Sequence, residues 1–261
     1  MRVAQLGAGH PDVAIVGAVH GDEPCGASAI ERLLEDDPTV RRPVKLIVAN
    51  DEALERDVRY VDADLNRSFD DVPADALERD LAEQLSAELE GTTALSIHST
   101  QSYPYPFAIA SGIDEEIRRI APRLSVRALV NTGATGEGRV FEAAGQIIEV
   151  EAGLQKSDAA AENAYRLARE FLTATGVLPG ETTPNELPTY EMGDPIEKPA
   201  AEAYEVFAEN FDRVEAEEAF AAADDDYLRA AQPFYPILLS PYGYTDIFGY
   251  RGEKLGTLTP G

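Results

Sequence analysis

The chain contains three histidines, His10, His20 and His98. Imidazole is the commonest metal ligand and the commonest general base in proteins, so these few positions are the first places to look for chemistry. His20 follows the apolar run Val13-Ala-Ile-Val-Gly-Ala-Val19, and His98 follows Thr93-Ala-Leu-Ser-Ile97. Both runs are short and apolar, as buried strands are. Open α/β sheets bind ligands beyond the carboxyl ends of their strands, and both histidines fall there. Glu23 lies three residues after His20, and Gly21 permits a tight turn between them. His20, Glu23 and the distant His98 would make the two-histidine, one-glutamate set of an open catalytic zinc site, with water as the fourth ligand. H-x-x-E is a weak pattern by itself. Its plain alternative is a pair of capping histidines and a surface glutamate. His10 has no evident partner.

The elements that must position these residues read as α/β. After the first strand and the His20-Gly21-Asp22-Glu23-Pro24 break, Ala27, Ile30, Leu33 and Leu34 give a helical pattern. Val44–Ala49 reads as a second strand. Leu77, Leu81, Leu85 and Leu89 recur every four residues and mark an amphipathic helix. Thr93–Ile97 reads as the third strand and Phe107–Ala110 as a fourth. Asp114–Ala121 is helical and should stop at Pro122, with Val126–Val130 extended after it. Gln146–Glu151 reads as a strand closed by Ala152-Gly153, and Ser157–Thr175 as a long helix ended by Gly176. Prolines at 179, 184, 188, 195 and 199 then exclude a long helix. Ala203–Phe211 and Tyr235–Leu239 read as strands. The expectation is an α/β domain over 1–180 and a small β-rich C-terminal domain over 181–261. The acidic clusters Glu35-Asp36-Asp37 and Asp224-Asp225-Asp226 read as solvated loops, because a hard-cation loop needs spaced carboxylates and a turn glycine.

Four blocks, in order, resemble the succinylglutamate desuccinylase/aspartoacylase family of the zinc carboxypeptidase-like superfamily. They are His20-Gly-Asp-Glu23 with Gly26, Arg59-Tyr-Val-Asp-Ala-Asp-Leu-Asn66-Arg67-Ser-Phe69, Ile97-His98-Ser-Thr100 and Glu149-Val-Glu151-Ala-Gly153. The resemblance covers residues 12–175, and the tail matches mainly through Tyr235-Pro236 and Pro241-Tyr-Gly-Tyr244. It implies a carboxypeptidase-like mixed sheet flanked by helices, and one Zn2+ per chain on His20, Glu23 and His98. It places the general base on the glutamate of E-x-G, which is Glu151. Glu149 lies two residues away on the same strand face, so the choice between the two rests on the resemblance. Arg59 corresponds to the arginine that stabilises the carbonyl oxygen as it becomes an oxyanion. Asn66 and Arg67 correspond to the pair that clamps a substrate carboxylate, which a guanidinium does bidentately. Arg139, twelve residues before Glu151, stands near a second carboxylate-binding arginine of the aspartoacylase side, at a spacing that does not match cleanly. Tyr244 corresponds to a tail tyrosine that donates its hydroxyl to substrate.

Composition bounds the partners. In 261 residues, 48 Asp and Glu face 22 Lys and Arg, a net charge of −26. That balance argues against nucleic acid or an anionic membrane, both of which need basic surface. No apolar run reaches the length of a bilayer span, the N-terminus lacks the apolar stretch of a signal peptide, and Cys25 has no second cysteine to pair with. The expectation is a soluble, cytoplasmic chain. Its cations are four lysines and 18 arginines, which with the acidity fits a halophilic source, where molar salt screens self-repulsion to about 3 Å. The expected activity is hydrolysis of the amide of a small, carboxylate-bearing N-acyl amino acid by zinc-activated water. A zinc carboxypeptidase or esterase of the same superfamily, or a catalytically silent metal-binding homologue, are the alternatives. A homo-oligomer is compatible with the sequence.

Overall fold

A computed structural model describes residues 1–69, 75–133 and 139–259. Its strands are β1 (Arg2–Leu6), β2 (Val13–Gly17), β3 (Val44–Val48), β4 (Thr93–Thr100), β5 (Phe107–Ala110), β6 (Leu129–Asn131), β7 (Gln146–Leu154), β8 (Leu187–Glu197), β9 (Tyr204–Val206), β10 (Ala219–Ala223), β11 (Asp226–Arg229), β12 (Tyr235–Ile237) and β13 (Ile247–Leu258). Its α-helices are α1 (Cys25–Asp36), α2 (Asp51–Glu55), α3 (Leu77–Leu89), α4 (Glu115–Ile120) and α5 (Asp158–Ala174). The main sheet runs β1-β3-β2-β4-β7-β5-β6-β8-β13-β12, and β11-β10-β9 form a second sheet. The centre, β3-β2-β4-β7, is parallel, and β5 joins β7 antiparallel, so the sheet is mixed.

Both faces of the sheet centre are covered, which is why its strands read as continuous apolar runs. Along β2, Val13 and Ile15 pack on the side of Ile30 and Leu33 from α1 and Leu167 and Phe171 from α5. Ala14 and Val16 pack on the other side, against Leu81, Leu85 and Leu89 of α3. Alternate residues of one strand thus enter two separate cores. Helix α5 begins where Ser157 caps it, its side chain accepting from Ala160 N. No helix among the described residues is long and apolar enough to cross a membrane.

Past α5 the sequence expectations are coarser than the structure. The proline-punctuated stretch contains β8, which holds Pro188 and Pro195 and still pairs with both β6 and β13. Its irregular register against β13 is what lets prolines sit in it. Of Ala203–Phe211 only β9 is strand, and the backbone at Phe211 turns left-handed (φ 71°). Strands β1, β10, β11 and β13 carry no clear period in the sequence. The residues after 181 are strand and turn, and three of their strands continue the main sheet.

Candidate metal and catalytic site

The candidate site residues converge on a cavity of about 130 Å³ at the carboxyl ends of β2, β4 and β7. His20 reaches it by a sharp departure from β2: Ala18 takes a left-handed φ of 52°, a conformation that costs an L-residue roughly 1–2 kcal/mol. Two glycines make the turn fit. A Cβ on Gly21 would lie 2.1 Å from the Ala53 carbonyl carbon, and one on Gly26 would lie 2.8 Å from Gly17 Cα and 2.9 Å from Ile97 O. Gly26 therefore lets α1 press against β2 and β4, and Gly21 lets the turn press against α2, which together set Glu23 between the two histidines.

The geometry is that of a metal cradle. Glu23 bridges the two rings, with Oε1 2.9 Å from His20 Nδ1 and Oε2 3.0 Å from His98 Nδ1. The three residues are buried, and a ligand atom from each lies within 4.8 Å of the others. The outer ring nitrogens are also held. His20 Nε2 lies 2.9 Å from Asp64 Oδ1, and His98 Nε2 lies 3.0 Å from Ser96 Oγ. An outer partner of this kind fixes which nitrogen of a metal-binding imidazole is left bare. Burial alone would lower the His98 pKa, but the hydrogen bond and charge of Glu23, with Glu149 and Glu151 behind, lift it to about 9. Burial opposes ionisation of Glu23 as well, yet the two imidazoles hold it well below the usual carboxylate range. A pocket that favours positive charge on both rings favours a divalent cation for the same reason, so the donor set fits zinc.

The loop 59–67 supplies the cations. Arg59 donates through Nε and Nη2 to Asp64 Oδ2 (3.2 and 3.1 Å) and through Nη1 to Glu23 Oε1 (3.3 Å). These bonds use one N–H of each terminal nitrogen. Arg67 donates from Nη1 to Asn66 O (2.6 Å) and makes no ion pair among the described residues. Beneath the loop lies Glu78 of α3, a fully buried carboxylate. It accepts from Val61 N (2.7 Å), Asp62 N (3.1 Å), Ala63 N (3.0 Å) and Asn50 Nδ2 (3.0 Å). Burial pushes its pKa up, but these donors outweigh it and hold it below the ordinary value. The stability it supplies is therefore complete above about pH 5 and is lost as pH falls through its depressed folded value. Glu78→Ala strands buried donors at about 1–3 kcal/mol each, so a loss on the order of 3 kcal/mol is expected in denaturant unfolding. A change within about 0.5 kcal/mol would show that the loop does not depend on it.

Strand β7 places the two glutamates differently. In parallel register with β4, Glu149 pairs with Ser96 and Glu151 with His98. Glu149 is engaged: its Oε1 accepts from Asn66 Nδ2 at 3.3 Å and lies 3.9 Å from His98 Nε2. Glu151 Oε2 is buried with no hydrogen-bond partner. Burial, then the charge of Glu23, push its pKa up to about 8, with His98 opposing. Asn66 accepts from Val140 N at its Oδ1 (2.9 Å), which ties the loop to the chain beside Arg139. Arg139 and Tyr244 line the same cavity, and burial raises the pKa of the Tyr244 hydroxyl. Tyr244 arrives on a C-terminal segment pinned by Asn210, which donates to Ser102 O (2.8 Å) and Leu239 O (3.1 Å) and accepts from Leu239 N (2.7 Å).

Cys25 is buried, its thiol directed at His98 O (3.4 Å) and its pKa pushed up to about 12 by burial, so it is inert. The sequence reading assigned nothing to Asp64, Ser96 or Glu78. Asp64 sits inside the quoted D-L-N-R block, but it lies 44 residues from the ring it holds, and no spacing rule connects them.

Residues 9–103 match the model of the succinylglutamate desuccinylase/aspartoacylase catalytic domain. Over this segment, a little more than a third of its length, the chain is similar to that family. The matched segment holds His20, Glu23, Arg59, Asn66, Arg67 and His98, and stops short of Arg139, Glu151 and Tyr244. Among curated relatives, the N-acyl-aromatic-L-amino acid amidohydrolase (carboxylate-forming) of Xenopus laevis is 43% identical over 60 residues, 22% of this chain and 20% of the relative. The aspartoacylase of Rattus norvegicus is 35% identical over 80 residues, 30% and 25% of the two chains. These matches thus span a quarter or less of the relatives' length. Similarity of fold extends further. Murine aminoacylase 3 superposes with a TM-score of 0.76 at 20% identity, over 96% of this chain and 98% of its own. A family structure from Rhodobacter sphaeroides gives 0.77 at 19% identity, over 97% and 88%. At such identities the likeness is one of fold: a mixed sheet flanked by helices.

Proposed function

We propose that the chain is a zinc-dependent deacylase that hydrolyses the amide of a small N-acyl amino acid bearing a free carboxylate. The observation that carries this is the convergence of the His20–Glu23–His98 cradle, an unpartnered buried carboxylate oxygen on Glu151 and the Arg59–Arg67 loop on one cavity. Zinc bound by His20, Glu23 and His98 would polarise the scissile carbonyl and acidify a water. Glu151 accepts the water's proton on Oε2 and returns it to the leaving nitrogen, a task suited to a carboxyl group tuned towards neutrality. Arg59, fixed by Asp64 and Glu23, directs its remaining N–H groups at the developing oxyanion. Arg67, with the spare N–H of Asn66, grips the substrate carboxylate, and Arg139 and Tyr244 line the far wall.

The C-terminal segment favours a small substrate over a peptide. Leu238, Ser240, Gly243 and Tyr244 wall the cavity, where an extended peptide would need an open groove. A second compartment, of about 500 Å³, lies outside and shares Arg59, Arg67, Gly243 and Tyr244 with it. It gives the substrate a way in and room for its distal end.

The test compares kcat/KM for matched N-acyl amino acids and their carboxamides in the wild type and in Arg67→Ala. Charge-assisted hydrogen bonds contribute about 1.5–3 kcal/mol, so the acids should lead by roughly 10- to 150-fold, and Arg67→Ala should erase most of the lead. Equal turnover of acids and carboxamides by the wild type would remove the carboxylate clamp from this reading.

A further inference from the structure

The two metal-facing rings are supported unequally. His20 has a carboxylate on its outer nitrogen, Asp64 at 2.9 Å, whereas His98 has only the Ser96 hydroxyl there, at 3.0 Å. The carboxylate nearest to His98 Nε2 comes from another strand: Glu149 Oε1, 3.9 Å away. Glu149 is 4% exposed, and the same oxygen accepts from Asn66 Nδ2. Asn66 in turn accepts from Val140 N. One buried carboxylate therefore stands beside His98 of β4 and bonds Asn66 of the loop, and Asn66 carries the connection on to the turn beside Arg139.

Burying a carboxylate without a purpose is costly, and Glu149 Oε1 is engaged by Asn66 whereas the buried Glu151 Oε2 has no partner. We propose that Glu149 is a positioning residue: it supplies to His98 the negative charge that Asp64 supplies to His20, and through Asn66 it fixes the substrate clamp to the metal cradle. The inference rests on the zinc reading given above. With Nδ1 turned to the metal, the His98 proton must sit on Nε2. There it donates to Ser96 Oγ while the Glu149 charge, just beyond hydrogen-bond reach, makes the ring a stronger donor of its Nδ1 lone pair. Substrate binding is linked to the same group, because rotating Glu149 away would release the Asn66 amide.

The experiment is competition for Zn2+ with a chromophoric chelator, together with steady-state kinetics at saturating zinc, on the full chain. Glu149→Gln preserves volume and removes the charge. Zinc affinity is expected to fall by about 10- to 100-fold. At saturating zinc, kcat should stay within about tenfold of the wild type while KM rises, the opposite of what loss of a general base would do. In an Asn66→Ala background the same change should still weaken zinc binding but no longer raise KM. Ser96→Asp, which puts a carboxylate on the same ring nitrogen, should restore zinc affinity to Glu149→Gln. The thermal midpoint of the zinc-free Glu149→Gln protein should not fall, which separates positioning from a general structural role. If the variant does not fold, Ser96→Asp and Asn66→Ala in the wild-type background still decide: tighter zinc from the first and unchanged zinc from the second are required. A wild type that binds zinc and a Glu149→Gln variant that binds it equally well would overturn the inference alone. A wild type that takes up no zinc would overturn the metal reading and the inference with it.

Discussion

Glu151→Gln is expected to lower kcat by about 10²–10⁴-fold while leaving zinc content and fold unchanged. Gln keeps the shape of the side chain and removes its capacity to take a proton. The wild-type oxygen Oε2 makes no hydrogen bond that the amide would break. Burial and the neighbouring negative charge already disfavour ionisation at this position, raising the pKa to about 8, so neutralising it by mutation should not lower the thermal midpoint. The decisive comparison is with Glu149→Gln, on the same strand, which at saturating zinc should keep kcat within about tenfold of the wild type. Zinc content by elemental analysis and kcat for one N-acyl substrate in both variants check the ranking. If Glu149→Gln proves the more damaging to kcat, the base has been placed on the wrong glutamate.

Removing both imidazoles, in His20→Ala with His98→Ala, should take zinc from about one ion per chain to about none. The double variant leaves Glu23 as the sole member of the donor set, and one carboxylate does not hold zinc against water. It also strips Glu23 of the two ring hydrogen bonds that keep it ionised in a buried place. Ser99 N (3.2 Å) and Arg59 Nη1 (3.3 Å) still reach it, so the fold should persist with Glu23 less acidic. The measurement is metal content of protein purified without added metal, with circular dichroism as the check on folding. Full zinc occupancy in the folded double variant would refute the ligand assignment.

The sequence alone determined the central elements and singled out the three residues that the fold brings together as a candidate metal site. Strands β2, β3, β4 and β7 were legible because both their faces are buried, which forces unbroken apolar runs, and α3 and α5 because one face is. His20, Glu23 and His98 were legible because each stands at or just past a strand's carboxyl end, where an open sheet has its cleft. The strands after residue 186 were not. Strand β8 forms through two prolines because its register breaks accommodate them, and β13 pairs with both β8 and β12 although no alternation announces it. In such strands partners in space, not intrinsic preference, decide the structure.

Within the site, spacing could not rank Glu149 against Glu151, since residues two apart on a strand share a face. The tertiary structure separates their surroundings, joining Glu149 to Asn66 and lodging Glu151 Oε2 without a partner. Asp64 on His20, Ser96 beside His98 and Glu78 under the Arg59–Arg67 loop were likewise decided only by folding. Their roles are hydrogen bonds between atoms, and except for the Ser96–His98 pair those atoms lie more than a dozen residues apart. Strand and helix periods report which face is buried and carry no record of which polar group a buried polar group will meet.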